Sequence, residues 1–134
     1  MVDISLSENL SRFLFYKREF NEETNTVKYS AFLPNRNGET SVFRTSTLEI
    51  GRIWEIGSDV SKQRKKTFLG RGIVFVTDVV DSGLNLEGAK EGEHPLHANI
   101  IGWALEKERK KLAALKLAAR AQLSLPPSTL NSNS

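Results

Sequence analysis

Residues 104–123, ALEKERKKLAALKLAARAQL, decide the fold. The stretch holds no Gly or Pro and is rich in Leu, Ala, Lys and Glu, all strong helix formers. Leu105, Leu112, Leu115, Ala119 and Leu123 fall on one stripe at spacings of seven, three, four and four. Leu117 lies well off that stripe, which predicts that it is exposed or meets a partner. At about 1.5 Å per residue the helix would run roughly 30 Å, enough to lie across a small sheet.

Upstream of it the periodicity changes. Residues 26–33 (TVKYSAFL) alternate, with Val27, Tyr29, Ala31 and Leu33 on one side, and Pro34 ends the run. Asn37-Gly38 is a hairpin signal, and residues 40–45 alternate again, predicting a hairpin across 26–45. Ser46-Thr47-Leu48-Glu49 has the form of a capping box, predicting a short helix to about Ile56 with Gly57 just beyond its end. Residues 59–66 read as a charged loop. Residues 68–76 read as a strand in which Gly70 and Gly72 mark a bulge or a close backbone approach. Residues 78–83 read as a turn of helix closed by Gly83, and 84–87 as a short strand. Residues 88–95 read as a flexible loop. The aromatic-rich residues 10–20 belong to the core, with helix and strand both open there. The expected fold is therefore α+β: a small, mostly antiparallel sheet with a short helix and one long C-terminal helix packed on it.

The 134 residues suffice for one domain with a sizeable core. Residues 10–123 are expected to form it, with 1–9 loose. Residues 124–134, rich in Ser, Asn and Pro, are expected to be a disordered tail. Cysteine is absent, which excludes thiolate chemistry, disulfides and iron–sulfur clusters. No apolar run of membrane-spanning length occurs, and the N-terminus lacks the basic and apolar regions of a secretory signal, so a cytoplasmic location is expected. Nineteen Lys and Arg against sixteen Asp and Glu leave a net charge of +3, which permits anionic partners without requiring them.

Several residues are candidates for chemistry. His94 and His97 would make a metal pair with Glu91 or Glu93 only on a helix, which Pro95 disfavours, so neither a metal nor a cofactor is expected. His97 with Asn99 suits proton transfer near neutral pH; the alternative is that His97 satisfies a buried group and holds its loop. Arg44, followed by Thr45 and Ser46 at a helix start, offers a fork to phosphate or carboxylate; the alternative is pairing with a glutamate. Lys62, Arg64, Lys65 and Lys66 (with Arg71) and Arg109, Lys110 and Lys111 (with Lys116 and Arg120) are basic clusters suited to nucleic-acid phosphates if they lie together. There is no Walker or dinucleotide glycine loop, no G-x-S-x-G and no acid–acid-x-Lys nuclease pattern.

Ala31-Phe32-Leu33-Pro34, Ser41-Val42-Phe43-Arg44-Thr45, Ile53-Trp54 and His97-Ala98-Asn99-Ile100-Ile101-Gly102-Trp103 together resemble a group of short bacterial proteins of unassigned function, over roughly residues 10–123. The resemblance implies a bacterial or phage-related source and brings no activity. It implies that these segments meet, with Arg44, His97 and Asn99 as the polar members of one pocket and Trp54 and Trp103 as its walls. The expected function is binding of a phosphate-bearing ligand or of a partner protein from the same operon. The alternatives are a small hydrolase or transferase using His97 and Arg44, and a non-specific nucleic-acid-binding protein.

Overall fold

The computed structural model describes residues 4–127; the remainder of the expected loose start and tail lies outside them. The fold is α+β. The strands are β1 (Asn9–Leu14), β2 (Phe20–Asn21), β3 (Thr26–Val27), β4 (Thr40–Arg44), β5 (Gly70–Phe75), β6 (Asn85–Gly88), β7 (His97–Ile101) and β8 (Gln122–Ser124). The helices are α1 (Ile50–Arg64), α2 (Val76–Asp81) and α3 (Lys107–Arg120), with single helical turns at Lys17–Glu19 and Tyr29–Ala31. Six strands form one sheet in the order β6-β7-β4-β1-β5-β8, every pairing antiparallel, and β2 with β3 make a separate ribbon.

Alternation along β1 divides the sheet into two faces. Leu10 and Leu14 lie with Val42, Val74, Ala98 and Ile100 on one, under α2, α3 and the Tyr29–Ala31 turn. Phe13 and Phe15 lie with Phe43 on the other, under Ile53 and Ile56 of α1. The core is thus two layers separated by the sheet.

The predicted hairpin across 26–45 does not form. Thr26 and Val27 pair backwards with Phe20 and Asn21, and Tyr29–Ala31 is a helical turn. β4 pairs instead with β1 and β7. Asn35 shapes the intervening turn: its Oδ1 accepts from the amides of Asn37 and Glu39, and Gly38 takes φ +74°.

The capping box is also absent. Ser46 Oγ accepts from Asn9 N at 2.6 Å, tying the segment to β1, and the helix starts four residues later. It continues through Gly57 and the expected charged loop to Arg64, ending on Lys65 at φ 55°. Gly57 serves packing rather than termination: a Cβ there would stand 2.4 Å from Phe68 Cζ, and that ring is held among Phe13, Phe15 and Trp54. The helix expected to be short is therefore the longest, at 15 residues against 14 for α3.

α3 presents the opposite face from the one its leucines suggest. Leu117 is fully buried, whereas Leu105 is 97% exposed and Leu112 54%. The inward stripe is Ala114 and Leu117, both fully buried, with Ala118 and Ala121 partly buried, at i, i+3, i+4 and i+7. Small alanines beside Leu117 let the helix axis approach the Tyr29–Ala31 turn closely, and Leu112 and Leu115 are left outside.

Other expectations hold. Gly70 and Gly72 are close approaches, the first to Ser124 O and the second to Val27 and Phe32. α2 ends before Gly83 at φ +83°, and β6 follows. Residues 124–126, expected to belong to the tail, are part of the fold, because Ser124 closes β8 against Arg71 and Pro126 is buried. At the other end, Glu8 O accepts from Val76 N, so the chain is tied in before β1 begins.

Candidate functional site

Arg44 and His97 do not share a pocket. Arg44 stands opposite Leu10, and His97 opposite Phe43, so they lie on opposite faces of the sheet. The Arg44 fork is engaged by Glu8, with Nε to Oε1 at 2.8 Å and Nη2 to Oε2 at 2.9 Å. That bidentate pair holds the Glu8 carboxyl below its ordinary range and raises Arg44. Thr45 is spent internally, in a chain from Ser11 Oγ (2.8 Å) to Asn9 Oδ1 (2.9 Å). Trp54 and Trp103 do not wall one pocket either: Trp54 sits in α1 against Phe68, and Trp103 packs on the α2/α3 face, donating to Ile100 O. The anion site expected at Arg44 is therefore a structural ion pair.

The pair carries a pH prediction. Glu8 has a folded pKa below 4.5, so its contribution is complete above that pH and is lost as pH falls through the lower folded value. Glu8→Gln is expected to cost about 1 kcal/mol at pH 7. The gap from the parent, measured by urea unfolding, narrows below pH 4.5. A gap that stays constant down to about pH 2.5 overturns the assignment.

His97 and Asn99 do share a face, with Ser41 between them. Ser41 is the register partner of Asn99, and its Oγ lies 2.6 Å from His97 Nε2. Glu93 Oε1 lies 3.0 Å from His97 Nδ1, off the axis a straight hydrogen bond needs. Burial works against the Glu93 charge, but the Lys90 amide and His97 hold its carboxyl below the ordinary range. The imidazole also meets Phe43 edge-on at 5.3 Å, and His94 does so at 5.6 Å. Asn99 Nδ2 and Glu87 Oε1, on facing residues of β7 and β6, are buried without hydrogen-bond partners.

A cleft of about 520 Å³ opens between α1 and residues 92–97. Arg52, Arg64, His94 and His97 line it, with Asp59 and Glu93 as the acids. In the sequence Glu93 stands out only as a metal ligand and Ser41 only within a resembling segment, and Arg52 has no signal beyond residue type. Ser41 and His97 are 56 residues apart, and only the β4–β7 register joins them.

The basic clusters are divided by the sheet. Lys62, Arg64, Lys65 and Lys66 end α1 on one face; Arg109, Lys110 and Lys111 begin α3 on the other. Arg71 belongs to neither: it is buried, donates to Ser11 Oγ at 2.8 Å and stacks 5.5 Å from the Trp54 ring. Arg120 is paired with Asp81 at 2.9 Å.

The architecture is thus a six-stranded antiparallel sheet with α1 on one face, α2 and α3 on the other, and a cleft under α1 lined by two arginines, two histidines and two acids. No family model, no curated protein and no solved structure matches the chain. No helix among the described residues is long and apolar enough to cross a membrane.

Proposed function

We propose that the protein binds a small phosphate-bearing ligand in the cleft between α1 and residues 92–97. The observation that carries this is the convergence there of Arg52, Arg64, His94 and His97, two fixed cations and two imidazoles, against two carboxylates. The walls supply apolar surface through Phe43 and Ile56. His97 is fixed by Ser41 at Nε2 and faces Glu93 at Nδ1, so it shapes the wall and leaves Arg52, Arg64 and His94 to meet the ligand.

A second reading makes His97 a general base toward Ser41 in a hydrolase or transferase, and the 2.6 Å separation favours it. The cleft lining favours binding instead. A nucleophile has to meet substrate, and Ser41 is not among the residues that line the cleft. Ser41 is accordingly a positioning residue.

The test is calorimetric titration with inorganic phosphate and with a nucleoside monophosphate. Arg64→Gln is expected to raise Kd about tenfold or more, since a charge-assisted hydrogen bond contributes about 1.5–3 kcal/mol. No binding of either probe at millimolar concentration overturns the proposal. Hydrolysis of a p-nitrophenyl ester that disappears in both Ser41→Ala and His97→Ala restores the enzyme reading.

A further inference from the structure

The two basic clusters are joined by a band that the sequence does not show. Arg64 at the end of α1 lies 5.7 Å from the Phe15 ring centroid. Lys66 Nζ lies 4.9 Å from the Tyr16 centroid, and Arg18 Cζ lies 4.3 Å from that same centroid. Arg18 O accepts from Ser30 Oγ at 2.9 Å, which couples the Lys17–Glu19 turn to the Tyr29–Ala31 turn. Lys111 Nζ of α3 then lies 5.0 Å from the Tyr29 centroid. Cations and rings alternate around one end of the sheet, from the α1 face to the α3 face. Lys66, Arg18, Lys28 and Lys111 are all exposed along it.

Each ring does something simple here. An ammonium or guanidinium over an aromatic face is attracted to it and loses freedom to wander. The band therefore presents a row of positioned charges rather than a cloud of mobile lysines. Beside it runs a groove of about 610 Å³, lined by Arg18, Lys28 and Tyr29 on one side and Leu115, Ala118 and Ala119 of α3 on the other.

We infer that this band binds the backbone of single-stranded nucleic acid without sequence preference. The class follows from shape. The row bends from one face of the sheet to the other, so its charges share no plane, as a membrane surface or a stiff duplex would require. A flexible polyanion can follow the bend, and the groove beside it offers apolar surface to bases. The band meets the cleft at Arg64, but Arg18 and Lys111 line no part of the cleft, so their substitution tests the band alone.

The experiment is fluorescence anisotropy with a labelled single-stranded oligonucleotide of about 20 nucleotides, long enough for one binding site, titrated at several salt concentrations. The parent should bind, with log K falling linearly as log salt rises. Arg18→Glu with Lys111→Glu should weaken binding about tenfold or more and flatten the slope by about 1.4, or about 0.7 for each phosphate no longer neutralised. A charge-matched control off the band's rings and helices, Arg36→Glu with Lys90→Glu, should change affinity by less than about threefold, as expected of diffuse attraction alone. Thermal melts check that both doubles are folded. No binding by the parent at low salt overturns the inference. So does equal weakening by the two doubles, which means diffuse attraction only. Tighter binding to a duplex, or to phosphatidylserine vesicles, than to the single strand overturns it as well.

Discussion

Arg12→Ala is expected to lower stability by about 3–4 kcal/mol, the largest polar effect in the molecule. β1 and β4 pair only as far as Ser11 and Phe43, and Arg12 sits where they part. Its Nε donates to Ala31 O at 2.7 Å and its Nη1 to Ser41 O at 2.8 Å, so one guanidinium bridges two separate backbone segments. Burial pushes its pKa down to about 10, with Glu19 the carboxylate that opposes the shift. The ordinary value is higher, so the unfolded chain holds this proton more tightly and the residue's contribution rises as pH climbs above about 10. Arg12→Lys should recover little, because an ammonium has no planar fork to span the two carbonyls. Arg12→Met removes the buried charge but still orphans both acceptors, and should fall between. Urea unfolding decides the matter: an Arg12→Ala loss under about 1 kcal/mol, no more than one ordinary hydrogen bond, contradicts the bridging role.

Leu117→Ala should cost about 2–5 kcal/mol, the range for a fully buried leucine whose surroundings cannot collapse. Leu112→Ala, five residues back on the same helix and 54% exposed, should change stability by under about 0.5 kcal/mol. Measured together by thermal melting, the pair reads the rotation of α3 directly. Similar losses for both, or a larger one at Leu112, would mean that the helix packs on its leucine stripe instead.

How much of this is legible in the sequence depends on how local the signal is. α2, Gly83 and β6 are legible, because a helical turn, a positive-φ glycine and a short extended run each declare themselves within a few residues. β3 alternates visibly, but alternation says nothing about which strand is the partner; Val27 finds Phe20 upstream rather than β4 downstream. Gly57 looks like a terminus, but its reason is the Phe68 ring from another segment. On α3, side-chain size misleads: the leucines suggest a buried face, and a close approach selects alanines. The site is least legible. His97 and Asn99 stand out by residue type and do share a face, but Arg44, which looks like their companion, lies across the sheet from them. The parity of β4, once its partner is known, excludes the three-residue pocket at a glance.

The order of strands in the sheet has a consequence for how the chain is made. β1, made before the other five strands of its sheet, ends up inside it between β4 and β5, while β7 and β8 arrive only after residues 97 and 122. The earliest strand is therefore the one that must wait for neighbours on both edges and cover on both faces. Leu10, Phe13, Leu14 and Phe15 leave the ribosomal exit tunnel before Ile53 can cover one side, and long before Leu117 can cover the other. Pairings this distant along the chain slow folding and leave a hydrophobic strand edge open meanwhile. A nascent chain arrested before residue 107 would carry its α3 face uncovered, a ready substrate for a chaperone that grips extended apolar segments.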